Sequence, residues 1–451
     1  MVAATGNPAR VARSIAGLAA TFVLLLPAIW NGFPFLEHDT GGYFARWFEG
    51  TLDASRSTVY GLFLTPGWPL DFWPIVILQA AAAVWIIGVM LKIYRPDFHP
   101  AGLPAIVAAL AATTALPWLA GELLTDIFAG LAVLGFHALV WHGDRIEPRQ
   151  RFALVPFIAF AASTHSATYA VILALGAGTL LCWLFGRLFG RRIIPGTVVA
   201  SAIGVLALGA AMLVAANYVV AKRLAWTPGG YSIAFARMLQ DGIVTRYLDD
   251  HCPDPRLKLC PYRKELPRDA DEFLWGGGLF DRLGRFDGLG DEIREIVLGS
   301  LRDYPLLQLK AALIATARQL VAVGTGEGVV NSVWHTYAVL ERFAPSVVPA
   351  MQAARQQRGE VSFTAVNAVH EPVAWAAMAL LPLLIVLAFY RAEFADLGWL
   401  AAAVALALLA NAAFCGVISN PHDRYGSRIV WIAAFTVALA GWRAVAPARR
   451  A

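Results

Sequence analysis

The chain reads as an all-α polytopic membrane protein, with about ten transmembrane helices and a mainly helical domain outside the bilayer. Three observations predict this. Hydrophobic residues fill 58% of the 451 positions and charged residues only 15%, against about 25% charged in a typical soluble domain. The mean hydropathy is +0.60, and the apolar residues gather into ten runs near the roughly 20 residues that a helix needs to cross the hydrocarbon layer. The basic residues lie in alternate loops between these runs, the pattern that the positive-inside tendency produces. The net charge of +5 is therefore read as a topology signal, with no nucleic-acid partner implied. The 15 Trp and 25 Phe suit a protein with two water–lipid boundaries to anchor.

The ten runs are 13–33, 72–94, 101–120, 122–141, 152–164, 167–186, 195–219, 372–390, 395–418 and 428–445. The basic stretch from Met1 to Ser14 resembles a signal peptide, but the apolar run behind it continues through Trp30 and Phe33 with no small-residue cleavage site. It is expected to stay as the first span. Residues 152–186 are too many for one span and few for two. The polar break Ser163-Thr164-His165-Ser166 favours a hairpin of two short or tilted helices over one long tilted helix. With ten spans, Arg10 and Arg13, Lys92 and Arg95, the Arg145–Arg149–Arg151 group, Arg187 with Arg191 and Arg192, Arg391, and Arg443 with Arg449 and Arg450 all fall on one side. That side is expected to be cytoplasmic. A bacterial inner-membrane protein with both termini cytoplasmic follows, and a single helix at 152–186 would scatter the clusters.

Three units result. Residues 1–219 form a module of about seven helices, with a first outer loop at 34–71. Residues 220–371 form an extracytoplasmic (periplasmic) domain, and 372–451 a second module of about three helices. Within the outer domain, "GLGDEIREIVLGSLRDYP" and "PLLQLKAALIATARQLVAVG" have helical periodicity. The second mixes Gln308, Lys310, Arg318 and Gln319 with apolar positions, so it is expected to lie on the membrane surface. "WGGGLF" and "GTGEG" read as turns. Cys252 and Cys260 lie in "HCPDPRLKLC", where an oxidising compartment favours a disulfide. A zinc site with His251 is the alternative, lacking a clear fourth ligand. Cys182 and Cys415 fall in apolar runs and are expected to be packing residues.

Charged groups at the outer ends of spans are the informative ones, because burying charge near lipid is costly. Glu37 and Asp39 flank His38 after the first span; a solvated loop with Asp39 or Thr40 as helix cap is the plain reading. Glu122 and Asp126 open the fourth span four residues apart, on one helix face. Glu122 could simply favour the positive end of a helix dipole, but Asp126 lies a turn into an apolar span and needs a partner or a cavity. His165 is in the hairpin turn. "NPHDRYGSR" brings His422, Asp423, Arg424 and Arg428 before the last span. Arginines outside the membrane run against the positive-inside tendency; they suit pairing with acids or binding a phosphate.

These segments resemble a known superfamily. "LEHDTGGYF" at 36–44, "TVYGLFLTPGW" at 58–68 and "GELLTDIFAGL" at 121–131 are similar to the first-loop acidic motif, its continuation, and the second acidic motif of GT-C fold glycosyltransferases. Protein O-mannosyltransferases and aminoarabinose lipid A transferases are examples. The resemblance covers roughly residues 10–190 in organisation. It implies a polyprenyl-phosphate-linked sugar donor and a lipid, glycan or protein acceptor. Asp39 would be the general base, with Glu37 beside it, and transfer would invert the anomeric carbon. Glu122 and Asp126 would support the site or, in metal-dependent relatives, help Asp39 hold a divalent cation such as Mg or Mn. From chemistry and placement, Arg424 and Arg428, with His165 and His422 nearby, would face the donor phosphate. A flippase for a lipid-linked saccharide and a non-catalytic envelope assembly subunit are the other readings. The flippase would be expected to show broken helices and two related halves; no internal repeat is evident.

Overall fold

A computed structural model describes residues 8–190 and 194–445. Arg191, Arg192, Arg449 and Arg450, which entered the charge pattern, lie outside the described residues. Among those described, helices dominate, with two isolated bridges and no strands. The chain begins with α1 (Pro8–Asn31), followed by two helices of the first loop, α2 (His38–Glu49) and α3 (Thr58–Leu64). Then come α4 (Trp73–Tyr94), α5 (Gly102–Thr113), α6 (Leu116–Gly121), α7 (Ile127–Trp141), α8 (Pro148–Thr164), α9 (Ser166–Leu188) and α10 (Gly196–Ala221). The long middle region carries α11 (Gly230–Gln240), α12 (Ile243–His251), α13 (Ala270–Trp275), α14 (Leu279–Arg282), α15 (Arg285–Asp303), α16 (Pro305–Val321), α17 (Trp334–Phe343) and α18 (Val348–Ala353). Three helices complete it: α19 (Thr364–Tyr390), α20 (Ala395–Ile418) and α21 (Asp423–Val445).

Seven of these, α1, α4, α9, α10, α19, α20 and α21, are long and apolar enough to cross a membrane, consistent with a multi-pass helical membrane protein. Large apolar side chains such as Leu181, Phe185, Leu383 and Phe389 stand exposed on them, more than a water-facing surface tolerates. The 152–186 run is broken in two at His165, which is extended between α8 and α9.

Two predicted runs are interrupted. The 101–120 run breaks at Thr114 and Ala115. Pro117, in the first turn of α6, has no N–H for the carbonyl one turn back and would crowd it; the extended Thr114 takes up the bend. The 122–141 run starts its helix only at Ile127. Glu122 is extended, and Phe35 pairs with it in a parallel bridge: Phe35 N–H donates to Gly121 O (2.9 Å) and Leu123 N–H to Phe35 O (3.0 Å). Glu122 and Asp126 therefore do not share a helix face as expected. The non-helical stretch is tolerated because it is buried in protein: Gln79 Nε2 donates to Ala120 O (3.2 Å) and Glu122 O (2.8 Å). The 15-residue α7 rises about 22 Å, short of the roughly 30 Å hydrocarbon layer. It is buried on all sides from Ile127 to Val140, so it packs as the centre of the bundle.

Three of the basic clusters can be followed to one end. Arg443 donates to Tyr94 O (3.0 Å) and pairs with Asp396, which Arg145 approaches at 3.9 Å. Arg95 lies over the Trp442 ring, and Lys92 reaches Glu147 at 3.7 Å. The ends of α4, α7 and α21 and the start of α20 thus meet there.

The middle region is divided between two cores. Residues from Phe235 to Val297, including Phe273, Phe280 and Ile293, form a core of their own. Val333, Leu340, Val347 and Met351 instead join the core of the helix bundle, with α17 packed on α2. The first core carries the Cys252–Cys260 disulfide, Cα–Cα 5.6 Å. His251, the third ligand of the zinc alternative, has Nδ1 against Tyr247 O (2.8 Å).

Closing so short a loop stabilises by about 2.5 kcal/mol in the chain-entropy account. The double variant Cys252→Ser/Cys260→Ser is therefore expected to be more readily proteolysed between α11 and α15. Alkylation of the denatured wild-type chain should modify Cys182 and Cys415 before reduction and all four cysteines after it.

Candidate functional site: a carboxylate–arginine cluster

The site begins at the start of α2. Glu37, not Asp39 or Thr40, is the N-cap: Asp39 N–H donates to Glu37 Oε2 (2.7 Å), and Glu37 N–H to Thr40 Oγ1 (3.0 Å). This is a reciprocal capping box. Thr40 Oγ1 also donates to Leu123 O (3.0 Å), tying the first acidic segment to the second. From α17, Thr336 Oγ1 donates to Glu37 O (2.8 Å) and accepts Gly41 N–H (2.9 Å). A side chain at Gly41 would meet the Thr336 backbone at 2.7 Å. At Gly328, where φ is +86°, it would strike Glu37 at 2.3 Å. Both positions need glycine for the close approach.

One guanidinium gathers the acids. Arg424, on the first turn of α21, pairs through Nη1 with Glu37 and donates from Nη2 to Asp39 Oδ2 (2.8 Å). Its Nε lies 3.7 Å from Asp126 Oδ2 with no hydrogen bond. Its backbone N–H donates to Glu327 Oε2 (2.8 Å). Arg56 pairs with the other oxygen of Asp39, so two arginines flank one carboxylate. Burial works to raise Asp39, but Arg56 and then Arg424 hold it well below the usual carboxylate range. Glu37 differs: burial outweighs Arg424, and the nearby Asp39 charge adds to it, pushing Glu37 up to about 7.

The remaining predicted residues sit around this core. Glu122 and Asp126 line a cavity of ≈ 20 Å³ with Arg424, Glu327 and Trp118, about enough for one water. Arg428 is wholly buried. Its donors go to Asn411 Oδ1 (2.7 and 3.2 Å) and Cys415 Sγ (3.3 Å), with Asp126 Oδ1 at 3.4 Å, so it holds Asp126 in place from behind. His165 caps α9, with Nδ1 accepting Ala167 N–H (3.1 Å), and burial with the nearby Arg428 and Arg424 disfavours its charged form. His422 is clamped between Glu327 Oε1 (2.8 Å) and Asp271 Oδ2 (3.3 Å), joining α21 to the middle region.

Sequence reading passed over Arg56, Glu327, Asp271 and Asn411. Arg56 lies in the first loop, where the argument that singled out Arg424 applies equally. Asn411 is a lone amide in the apolar run of α20, a signal that intramembrane polarity would have supplied. Glu327 was legible only as part of a glycine turn.

A divalent cation of the Mg or Mn kind prefers several oxygen ligands. Both Asp39 oxygens are taken by guanidinium groups, and Asp126 faces two arginines. Among the described residues no group of three His, Cys, Asp or Glu side chains is arranged to hold a metal ion, so the residues present do not fit such an ion. No known protein family, curated protein or solved structure matches the chain.

The His422 clamp has a defined pH dependence. Burial disfavours the imidazolium, but the hydrogen bonds to Asp271 and Glu327 prevail and push it up to about 9, from about 6.5 when unfolded. Its contribution to stability is thus full below about 6.5 and lost as pH rises through about 9. Thermal unfolding of the purified protein is expected to occur at lower temperature as pH is raised over that window, with a smaller decline in His422→Gln.

Proposed function

We propose that the protein is an inverting glycosyltransferase of the GT-C kind. It would move a sugar from a polyprenyl-phosphate donor to an acceptor hydroxyl at the outer face of a bacterial inner membrane. The observation that carries this reading is the flanking of Asp39 by Arg56 and Arg424. Two guanidinium groups beside a carboxylate suit phosphate recognition next to a proton acceptor.

The chemistry follows from that arrangement. A donor phosphate competes with Asp39 for Arg56 and Arg424. As it takes their hydrogen bonds, Asp39 loses the countercharge that holds its proton affinity down and becomes the better base. The acceptor O–H proton passes to Asp39 as the acceptor oxygen bonds to the anomeric carbon from the side opposite the phosphate. The sugar–phosphate bond breaks, and its electron pair leaves on the polyprenyl phosphate, whose charge the two arginines neutralise. Glu37 fixes Arg424, while Arg428, itself held by Asn411, fixes Asp126.

Topology supports the placement. The three helical stretches too short to count among the seven, α5 with α6, α7, and α8, coincide with predicted runs and would bring the crossings to ten. The paired basic residues Lys92, Arg145 and Arg443 would then mark the cytoplasmic end, with both termini there. Arg424 stands 19 residues before Arg443 on α21, about 28 Å away along the helix, close to one hydrocarbon thickness. The cluster would thus face the periplasm.

Detergent-purified protein incubated with a radiolabelled polyprenyl-phosphate sugar and candidate acceptors tests the reading. Turnover supports it; movement of the sugar lipid across vesicles without transfer would favour a flippase. Asp39→Asn is expected to lower turnover by about 10²–10⁴-fold while inserting normally, and full activity in that variant would sink the assignment. Arg56→Gln is expected to raise KM for the donor.

A further inference from the structure

A second cavity lies apart from the carboxylate–arginine cluster. It has a volume of ≈ 520 Å³, within the range of small-molecule sites. α11, α15 and α16 wall it, and Val417 and Ile418 at the end of α20 close it. The wall from α16 is a face of small residues: Ala311, Ala312 and Ala315 line the cavity with Gln308, spaced as one helix stripe. The other face of α16 turns Leu306, Leu309 and Leu313 outward, 79%, 57% and 64% exposed.

The lining decides what can enter. Its one buried cation is already satisfied: Arg237 donates to Asp241 from Nε (3.1 Å) and Nη2, and to Asn420 Oδ1 from Nη1 (2.9 Å). The Asp241 carboxylate balances the charge of Arg237, so the lining offers no unpaired positive charge to a phosphate or carboxylate. Met238, Val297 and Leu301 supply the rest of the apolar wall. Gln308 has a buried amide nitrogen without a hydrogen-bond partner; beside the Arg237–Asp241 pair, the polar side chains of the lining are the neutral Thr227, Tyr231 and Gln308. The alanine, valine, leucine and methionine side chains make most of the wall apolar, which suits a hydrocarbon chain.

Position names the source. The cavity opens where a membrane-length helix ends, beside an amphipathic helix whose leucines face outward. An amphipathic helix with such a face sits at the boundary between headgroups and acyl chains. The same end of the bundle holds Arg424: Asn420, which binds Arg237, donates to Asp271 Oδ2 (3.2 Å), and Asp271 holds His422.

We infer that this cavity binds the hydrocarbon tail of a membrane lipid, admitted past α16 and held beside the carboxylate–arginine cluster with the headgroup outside. The chemistry is the same for the isoprenoid chain of a sugar donor and the acyl chain of a lipid acceptor. The inference does not need transfer to occur, so it can fail or succeed independently of the glycosyltransferase reading.

The test is photo-crosslinking of the full chain in lipid nanodiscs. One sample carries a phosphatidylglycerol with a diazirine at the end of one acyl chain, the other a diazirine-bearing polyisoprenyl phosphate. Adducts are mapped by mass spectrometry. The expected result is adducts on Met238, Leu301 and the 308–315 segment of α16 with at least one probe; which probe gives them identifies the source of the tail. Ala312→Trp fills the cavity and should abolish these adducts while those on the exposed faces of α19 and α20 persist. Ala311→Leu, a milder filling, serves if the first variant does not fold. Adducts on α19 and α20 without any in the cavity, or cavity adducts that survive the filling of a folded variant, would overturn the inference.

Discussion

Three carboxylates from two distant segments converge on the guanidinium of Arg424. Glu37 and Asp39 arrive from the loop after α1, Asp126 from the bend before α7, and Arg424 from the start of α21. None of the acids could stay ionised and buried alone, since an unpaired buried charge costs several kcal/mol. The surrounding geometry is arranged to make this meeting possible. The capping box fixes Glu37, the Phe35–Glu122 bridge holds the two acidic segments together, and Arg428 keeps Asp126 turned inward.

Much of this was legible because lipid is a strict solvent. Run length and the side on which arginines fall are governed by transfer free energies of several kcal/mol, and those signals outlast local detail. The helix break at His165 and seven of the ten apolar runs came through for that reason. The residues that opposed the rule, Glu37, Asp39, Asp126, Arg424 and Arg428, are the ones that cluster. What was not legible is tertiary in origin. The interruption at residues 122–126 depends on Gln79, an amide on another helix that satisfies carbonyls a continuous helix would have used. Glu327 and Asp271 reach the site only through folding of the middle region, and no local pattern announces that. The division of that region between two cores was likewise hidden, because helical periodicity reports which face is buried and not against what.

The two polar networks do different work. The inner one, around Arg424, is largely shielded from bulk solvent and holds opposite charges in a low-dielectric setting, where small displacements change proton affinity strongly. The outer one, around His422, is partly exposed and links the middle region to α21 through a group that titrates. Because Glu327 belongs to both, accepting from the His422 ring and from the Arg424 backbone, motion of the middle region bears directly on the position of Arg424.

The sequence separations within the cluster carry a consequence for biogenesis. Arg56 follows Asp39 by 17 residues, whereas Arg424 follows it by 385. A chain inserted from its N-terminus therefore meets the first arginine almost at once. The second comes only after the helices from α3 to α20 have been made. Until then Arg56 is the countercharge available to Asp39, and Glu37 can remain protonated. Docking of the last helix is thus the step that completes the charge balance, and it leaves a chain truncated before α21 without the centre on which its acids converge.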